Sequence, residues 1–266
     1  MSRVAVSPNN RISDTGFTYD AAGNMTADGG GTGTHTYQWD SENWLKSVDS
    51  GSTTYTYDPL SRLKTEVTTG STGKLYWYNV NTGEVLAETD LSGALQREYI
   101  YFAGQAMARR DTNPGSPYYR FTDHLGSLRV LTDSTGVIKQ ELDYDPFGAE
   151  IAVVSNPSTD DAYRFISRER DSESGLDYAM FRYDSSRLGR FMTPDPVAGA
   201  VLNPQSHNRY AYTGNDPINR NDSLGLTHDW SGPRFGPFDN NGNVPGGWWG
   251  PGDASWFLMM FLTGPS

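Results

Sequence analysis

The chain has 266 residues, a formal net charge of −11, 29 Gly, 15 Pro and no Cys, and 13% of it is aromatic. Such turn-forming and aromatic content with only 20% charged residues suits many short strands and argues against a helical bundle. The acidic balance disfavours a general nucleic-acid binder, and the lack of thiols excludes disulfide scaffolds, thiolate metal sites and cysteine nucleophiles.

The start, Met1 to Asn10, lacks the apolar stretch of a signal peptide. A short pattern then recurs at a spacing of about 20 residues: two aromatics in alternate positions, an Asp or Asn, a turn and a second strand. Its copies are Phe17-Thr-Tyr-Asp-Ala-Ala-Gly-Asn-Met25, Tyr37-Gln-Trp-Asp-Ser-Glu-Asn-Trp-Leu45 and Tyr55-Thr-Tyr-Asp-Pro-Leu-Ser-Arg-Leu63. Weaker copies begin at Tyr76, Tyr99, Tyr119 and Leu142. Aromatics at i and i+2 share one strand face, and Asp followed by Pro, Ala or Ser and then Gly or Asn is turn chemistry. Arg62-Leu-Lys-Thr-Glu-Val67 alternates apolar and polar and reads as the return strand. Each unit is thus a β-hairpin. One hairpin is unstable alone, so residues 11–151 are read as stacked hairpins forming one sheet with an aromatic stripe. The stretches around Gly29–Gly31 and Gly70–Gly73 read as loops.

After Ile151 the pattern changes. Val153–Asp161 reads as a linker, followed by Arg168-Glu-Arg-Asp-Ser-Glu-Ser-Gly-Leu-Asp-Tyr178, Leu188-Gly-Arg-Phe-Met-Thr-Pro-Asp-Pro196 and Tyr210-Ala-Tyr-Thr-Gly-Asn-Asp-Pro-Ile-Asn219. With Thr122-Asp-His-Leu-Gly126 and Asp143-Tyr-Asp-Pro-Phe-Gly148, these strings resemble the RHS repeat-associated core, and the upstream units resemble YD repeats of the same family. The family includes Rhs polymorphic toxins, the C subunits of insecticidal toxin complexes and the teneurin shell. The resemblance covers residues 11 to 226. It implies a mostly β fold: antiparallel hairpins forming part of a curved shell wall over 11–151, an irregular associated core over 152–226, and a variable tail over 227–266. It also implies that the shell encloses the chain's own C-terminal tail as cargo, with further upstream repeats or a closing partner completing the wall. The abrupt ends of the sequence are read as those of a piece of something larger. Secretion or surface association is implied as well.

The toxin members resemble aspartyl proteases that cut their own chain after Pro-x-x-x-x-Asp-Pro-x-Gly-Leu. Here the run is Pro217-Ile-Asn-Arg-Asn-Asp222-Ser223-Leu-Gly225-Leu226, so the implied cut lies between Leu226 and Thr227, in cis, with no turnover on other substrates. The resemblance places the carboxylate pair at Asp171 and Asp195, with Arg170 able to orient a carboxylate by a bidentate contact. Two close carboxyls share a proton, one acting as base towards water and the other as acid towards the carbonyl. Asp177, Asp184 and Asp222 are read as structural.

No phosphate-binding glycine motif, nucleophile elbow or metal spacing of the four histidines is present, so no cofactor and no metal are expected. The longest apolar run, Trp256–Leu262, is far short of the roughly 20 residues that span a bilayer. Asp239–Asn243 lacks the downstream Glu of a calcium loop. The other reading is a surface adhesion or carbohydrate-binding module without catalysis, its aromatic stripe facing outwards; an inert remnant of a larger gene is the third. Ser223 stands where the family has Pro and loosens the turn before the cut. Ser223→Pro should therefore speed cleavage, measured as the rate at which a fragment ending at Leu226 accumulates; an unchanged rate would show that the departure is harmless.

Overall fold

The structure is a computed structural model and describes residues 6–31, 33–113, 115–156, 159–196, 204–226 and 229–230. A short hairpin, β1 (Phe17–Tyr19) and β2 (Met25–Asp28), opens the chain. Twelve strands follow: β3 (Tyr37–Trp39), β4 (Leu45–Val48), β5 (Thr53–Tyr57), β6 (Lys64–Thr69), β7 (Thr72–Tyr78), β8 (Val85–Thr89), β9 (Leu95–Phe102), β10 (Gln105–Asp111), β11 (Pro117–Thr122), β12 (Leu128–Thr132), β13 (Ile138–Tyr144) and β14 (Glu150–Val154). Each pairs antiparallel with its chain neighbours in one unbroken sheet. The mostly β reading, with hairpins stacked in sequence order, is what the chain forms.

The physics of the repeat lies in its aspartate and its second aromatic. The Asp40 side chain accepts from the amides of Glu42 and Trp44, at 2.9 and 2.8 Å. Asp90, Asp123, Asp133 and Asp145 each accept from the same two following positions. These are Asx turns, satisfying amides that the sheet cannot reach. The aromatic before the turn reaches back one unit. Tyr57 donates its hydroxyl to the Leu45 carbonyl at 2.9 Å, Tyr78 to Lys64 at 2.6 Å, Tyr144 to Leu128 at 2.9 Å, and the Trp39 indole N–H to Met25 at 2.7 Å. A β-bulge precedes this residue at Thr18/Tyr19, Gln38/Trp39, Thr56/Tyr57, Trp77/Tyr78 and Phe121/Thr122. Bulges increase local twist, so one at the same place in successive units curls the wall.

The bulge also shifts the phase of the return strand. Alternation in the sequence turns Leu63 inwards, yet β6 starts at Lys64, and Lys64 rather than Leu63 fills the buried slot that Met25, Leu45, Val85 and Leu128 fill elsewhere. Arg62, with φ +63°, completes the turn that moves the register by one.

The second unit packs on the tyrosine face. It contains a sheet of β15 (Glu169–Arg170), β16 (Asp177–Ala179), β17 (Arg182–Ser185) and β18 (Arg190–Phe191), then a final pair, β19 (Arg220–Asn221) and β20 (Asp229–Trp230). Leu176, Tyr183 and Met192 join Tyr37, Tyr55, Tyr76 and Tyr99 in one apolar core. Burial of this aromatic area is the main stabilising term. Charged pairs cross the same interface. Lys64, fully buried, sits 2.7 Å from Glu169 and among the rings of Tyr55, Tyr76 and Tyr178. Arg109 donates to the carbonyls of Thr159 and Asp160, and Arg120 lies 3.2 Å from Asp161. The stretch read as a linker is therefore anchored: Asp161 is fully buried, because two wall arginines need its charge.

Burial pushes the Glu169 carboxyl up, but Lys64, Lys74 and the Tyr76 hydroxyl outweigh it and hold it at about 2. Its contribution is complete above about pH 4.5 and lost as pH falls towards 2, on the order of 3 kcal/mol. Lys64→Ala leaves Glu169 only the more distant Lys74 and the Tyr76 hydroxyl and should cost about 3 kcal/mol, whereas Lys64→Met with Glu169→Gln should recover much of it. Thermal unfolding of the three proteins checks this, and the acid-side loss should vanish in the double variant.

Candidate functional site

The Pro217–Leu226 run folds back onto the second unit. Pro217 is buried and Asp222 nearly so, at 3% exposure. One oxygen of Asp222 accepts from the amides of Gly225 and Leu226, at 2.8 and 3.0 Å, closing a tight turn. Its other oxygen lies 3.2 Å from Arg182 on β17. Arg182 also donates to the carbonyls of Gly225 and Arg209, rests on the Phe191 ring and lies 3.0 Å from Asp195. One guanidinium thus joins Asp195 to the predicted cleavage turn. Arg168 adds a second clamp by donating to the Asp222 carbonyl. Gly225 has φ +79°, and a Cβ there would stand 2.8 Å from the Ala179 carbonyl oxygen, so only glycine lets the turn dock. Leu226 is buried and borders a cavity of about 160 Å³ that Arg182, Pro194 and Pro196 also line. Thr227 lies outside the described residues, as does the tail apart from 229–230, whose backbone pairs with 220–221.

Asp171 and Asp195 have different partners. Strand alternation explains it: Glu169 and Asp171 point to the wall, whereas Arg168 and Arg170 point into the second unit. Asp171 accepts from the hydroxyls of Tyr55 and Ser174, at 2.5 and 2.6 Å, and lies 4.0 Å from Lys64. Arg170 makes the anticipated bidentate contact, but with Asp177, at 2.9 and 2.7 Å, and also pairs with Glu150.

Two aspartates read as structural form a third centre. Asp177 and Asp184, both fully buried, face each other across β16 and β17. Burial raises the Asp184 carboxyl to about 7; Arg168, 3.6 Å away, opposes this, and the negative charge of Asp177 and Asp222 adds to it. Burial likewise raises Asp177, against the pull of Arg170. The Tyr-Asp context of Asp184 looks like another repeat turn; the signal that sets it apart is the pairing of two aspartates across a short hairpin, Asp177 with Asp184. The arrangement combines a carboxylate paired with an arginine (Asp195), a carboxyl raised by burial (Asp184) and a fixed peptide turn, parts that acid–base peptide hydrolysis uses.

Comparison with known proteins agrees with the architecture. The Teneurin YD-shell family model matches residues 92–218 and the RHS Repeat model residues 39–74. The chain belongs to the RHS/YD-repeat family. It is 30% identical over 214 residues to the tRNA nuclease WapA of Bacillus subtilis, covering 78% of this chain and 9% of that protein. It is 26% identical over 233 residues to the probable deoxyribonuclease RhsB of Dickeya dadantii, covering 80% of this chain and 15% of that one. The chain therefore spans well under a fifth of either relative. In fold it is similar to the Photorhabdus luminescens Tc holotoxin pore, with a TM-score of 0.60 at 21% identity over 79% of this chain and 11% of that one. Among the described residues no helix is long and apolar enough to cross a membrane. Gly225→Ala should undock the turn and remove any cut after Leu226, with little change in far-ultraviolet circular dichroism; an unaltered fragment pattern would show that the docked turn is not required.

Proposed function

We propose that this family segment is a shell wall with its associated core, that the shell encloses the C-terminal tail, and that the core hydrolyses its own chain between Leu226 and Thr227. The observation that supports this best is the Arg182 guanidinium, shared between Asp195 and the Asp222–Leu226 turn. In the proposed reaction Asp195, kept ionised by Arg182, takes a proton from water. The water oxygen bonds to the Leu226 carbonyl carbon while Asp184 protonates the carbonyl oxygen. The intermediate collapses, the bond to the Thr227 nitrogen breaks, and Asp195 returns its proton to that nitrogen. The product acid gives its proton back to Asp184. The pairing of Asp195 with Asp171, implied by the family resemblance, is the competing assignment. Secretion or surface exposure of the assembled protein follows from the family in either case.

A second reading, adhesion, draws on the face opposite the core: Trp77, Phe102, Tyr119 and Phe121 stand 45–76% exposed. It requires an intact chain.

Intact mass of the purified chain and its variants decides. A fragment ending at Leu226 is expected for the parent and for folded Asp171→Asn, and its loss for Asp195→Asn and Asp184→Asn. Loss in folded Asp171→Asn with retention in Asp184→Asn would reassign the acid to Asp171. A single 29.4 kDa species throughout would leave the non-catalytic readings. Cleavage should slow as pH rises through about 7, where Asp184 gives up its proton.

A further inference from the structure

Among the described residues Arg62 is the one wall cation bordering the cavity beside Leu226, and the proposed hydrolysis does not use it. Its guanidinium is stacked between Trp44 and Phe181, 5.0 and 5.1 Å from the ring centres. Its backbone is pinned as well: its amide donates to the Asp58 carbonyl and its carbonyl accepts from the Tyr178 hydroxyl at 2.7 Å. Among the described residues the guanidinium makes no hydrogen bond and no ion pair. Burial lowers its pKa and Asp40 and Glu42 oppose this through space, while the exposed Glu42 carboxylate accepts from Ser41. A rigid, charged fork that borders a cavity without a bonded partner suits a carboxylate, although Glu42 lines the same cavity. Leu226 lines that cavity, and hydrolysis after Leu226 creates a carboxylate there.

We infer that Arg62 is a product-holding residue that captures the new C-terminal carboxylate of Leu226 and so keeps the chain cut. This rests on the hydrolysis proposed above. The need for capture follows from the pairing of 229–230 with 220–221, which holds those two residues beside the run that ends at Leu226. An amine held two residues away attacks the carboxyl carbon at high effective concentration, reforming the peptide bond and expelling water. A carboxylate neutralised by Arg62 stays ionised and turned away from that amine.

The test uses the full chain incubated in heavy-oxygen water, with mass spectrometry of both the cut and the intact species. The parent should accumulate a fragment with a single heavy oxygen at Leu226. In Arg62→Met, which keeps the apolar stack, the ratio of cut to intact chain should fall about tenfold, equivalent to about 1.4 kcal/mol. Repeated reversal should then place heavy oxygen at both carboxyl positions and in the Leu226 carbonyl of intact chain. Arg62→Lys, which restores the charge without the fork, should lie between, and near-ultraviolet circular dichroism confirms that each variant is folded. An Arg62→Met fragment with one heavy oxygen and the parent ratio overturns the inference while leaving hydrolysis standing. Intact folded Arg62→Met free of heavy oxygen places the guanidinium before the bond breaks and also overturns it. A parent that never cuts removes the hydrolysis, and the carboxylate site with it.

Discussion

Everything in this molecule hangs from charges buried between the wall and the unit that packs on it. An apolar plug slides easily along a face of tyrosines, since burial of area has no direction. Lys64, Arg109 and Arg120 remove that freedom. Lys64 and Arg120 are sunk in the tyrosine face and cost several kcal/mol unless their partners arrive, whereas Arg109 already pairs with Asp111 on its own strand and gains Asp161 and the Thr159 and Asp160 carbonyls on docking. Glu169 meets Lys64, and Asp161 meets both arginines, so one docking register satisfies all three. A register slip would leave more than one ion unpaired in a dry interface, a cost comparable to the whole stability of a domain.

The same clamp distributes the chemistry. Glu169 facing the wall forces Arg168 and Arg170 to face inwards, by strand alternation alone. Those two arginines then meet Asp184 and Asp177, and Arg182 on the next strand but one completes the cluster. Asp171, next in phase with Glu169, goes to the wall and is taken by Tyr55, Ser174 and Lys64. A shift of one residue at β15 would exchange the two sets, so placement of the carboxyls follows from the wall contact and not from their own neighbours in sequence.

How far the sequence discloses this depends on the range of the interaction. The hairpin turns are legible because their physics is local: Asp40 or Asp145 with small residues behind it makes an Asx turn wherever it occurs. The Asp222–Leu226 turn is legible for the same reason, as Asp222 and Gly225 stand three apart and bond each other directly. Lys64 is misplaced by alternation because a bulge at Thr56/Tyr57 inserts half a period that no single residue announces. Asp161 sits in a Pro-, Ser- and Thr-containing stretch with the composition of a linker, while its partners lie some 40 to 50 residues upstream on other strands. Asp184 resembles a repeat turn aspartate, and its pairing with Asp177 across a short hairpin and its burial separate it from Asp58 or Asp145. Arg170 shows both sides: its bidentate chemistry is legible from residue type, its partner is not.

This dependence links catalysis to assembly in the proposed mechanism. Burial, with the charges of Asp177 and Asp222, raises the Asp184 carboxyl against Arg168 and Arg182, and the mechanism relies on that. Arg168, 3.6 Å from Asp184, is itself covered by the rings of Phe191 and Tyr212. If the Lys64–Glu169 clamp opens, water enters, the Asp184 carboxyl drops towards the ordinary range, and the acid is lost at neutral pH. In that mechanism a core not seated on its wall does not cut. The charges that cost the most to bury would then make the proposed cleavage conditional on the wall contact.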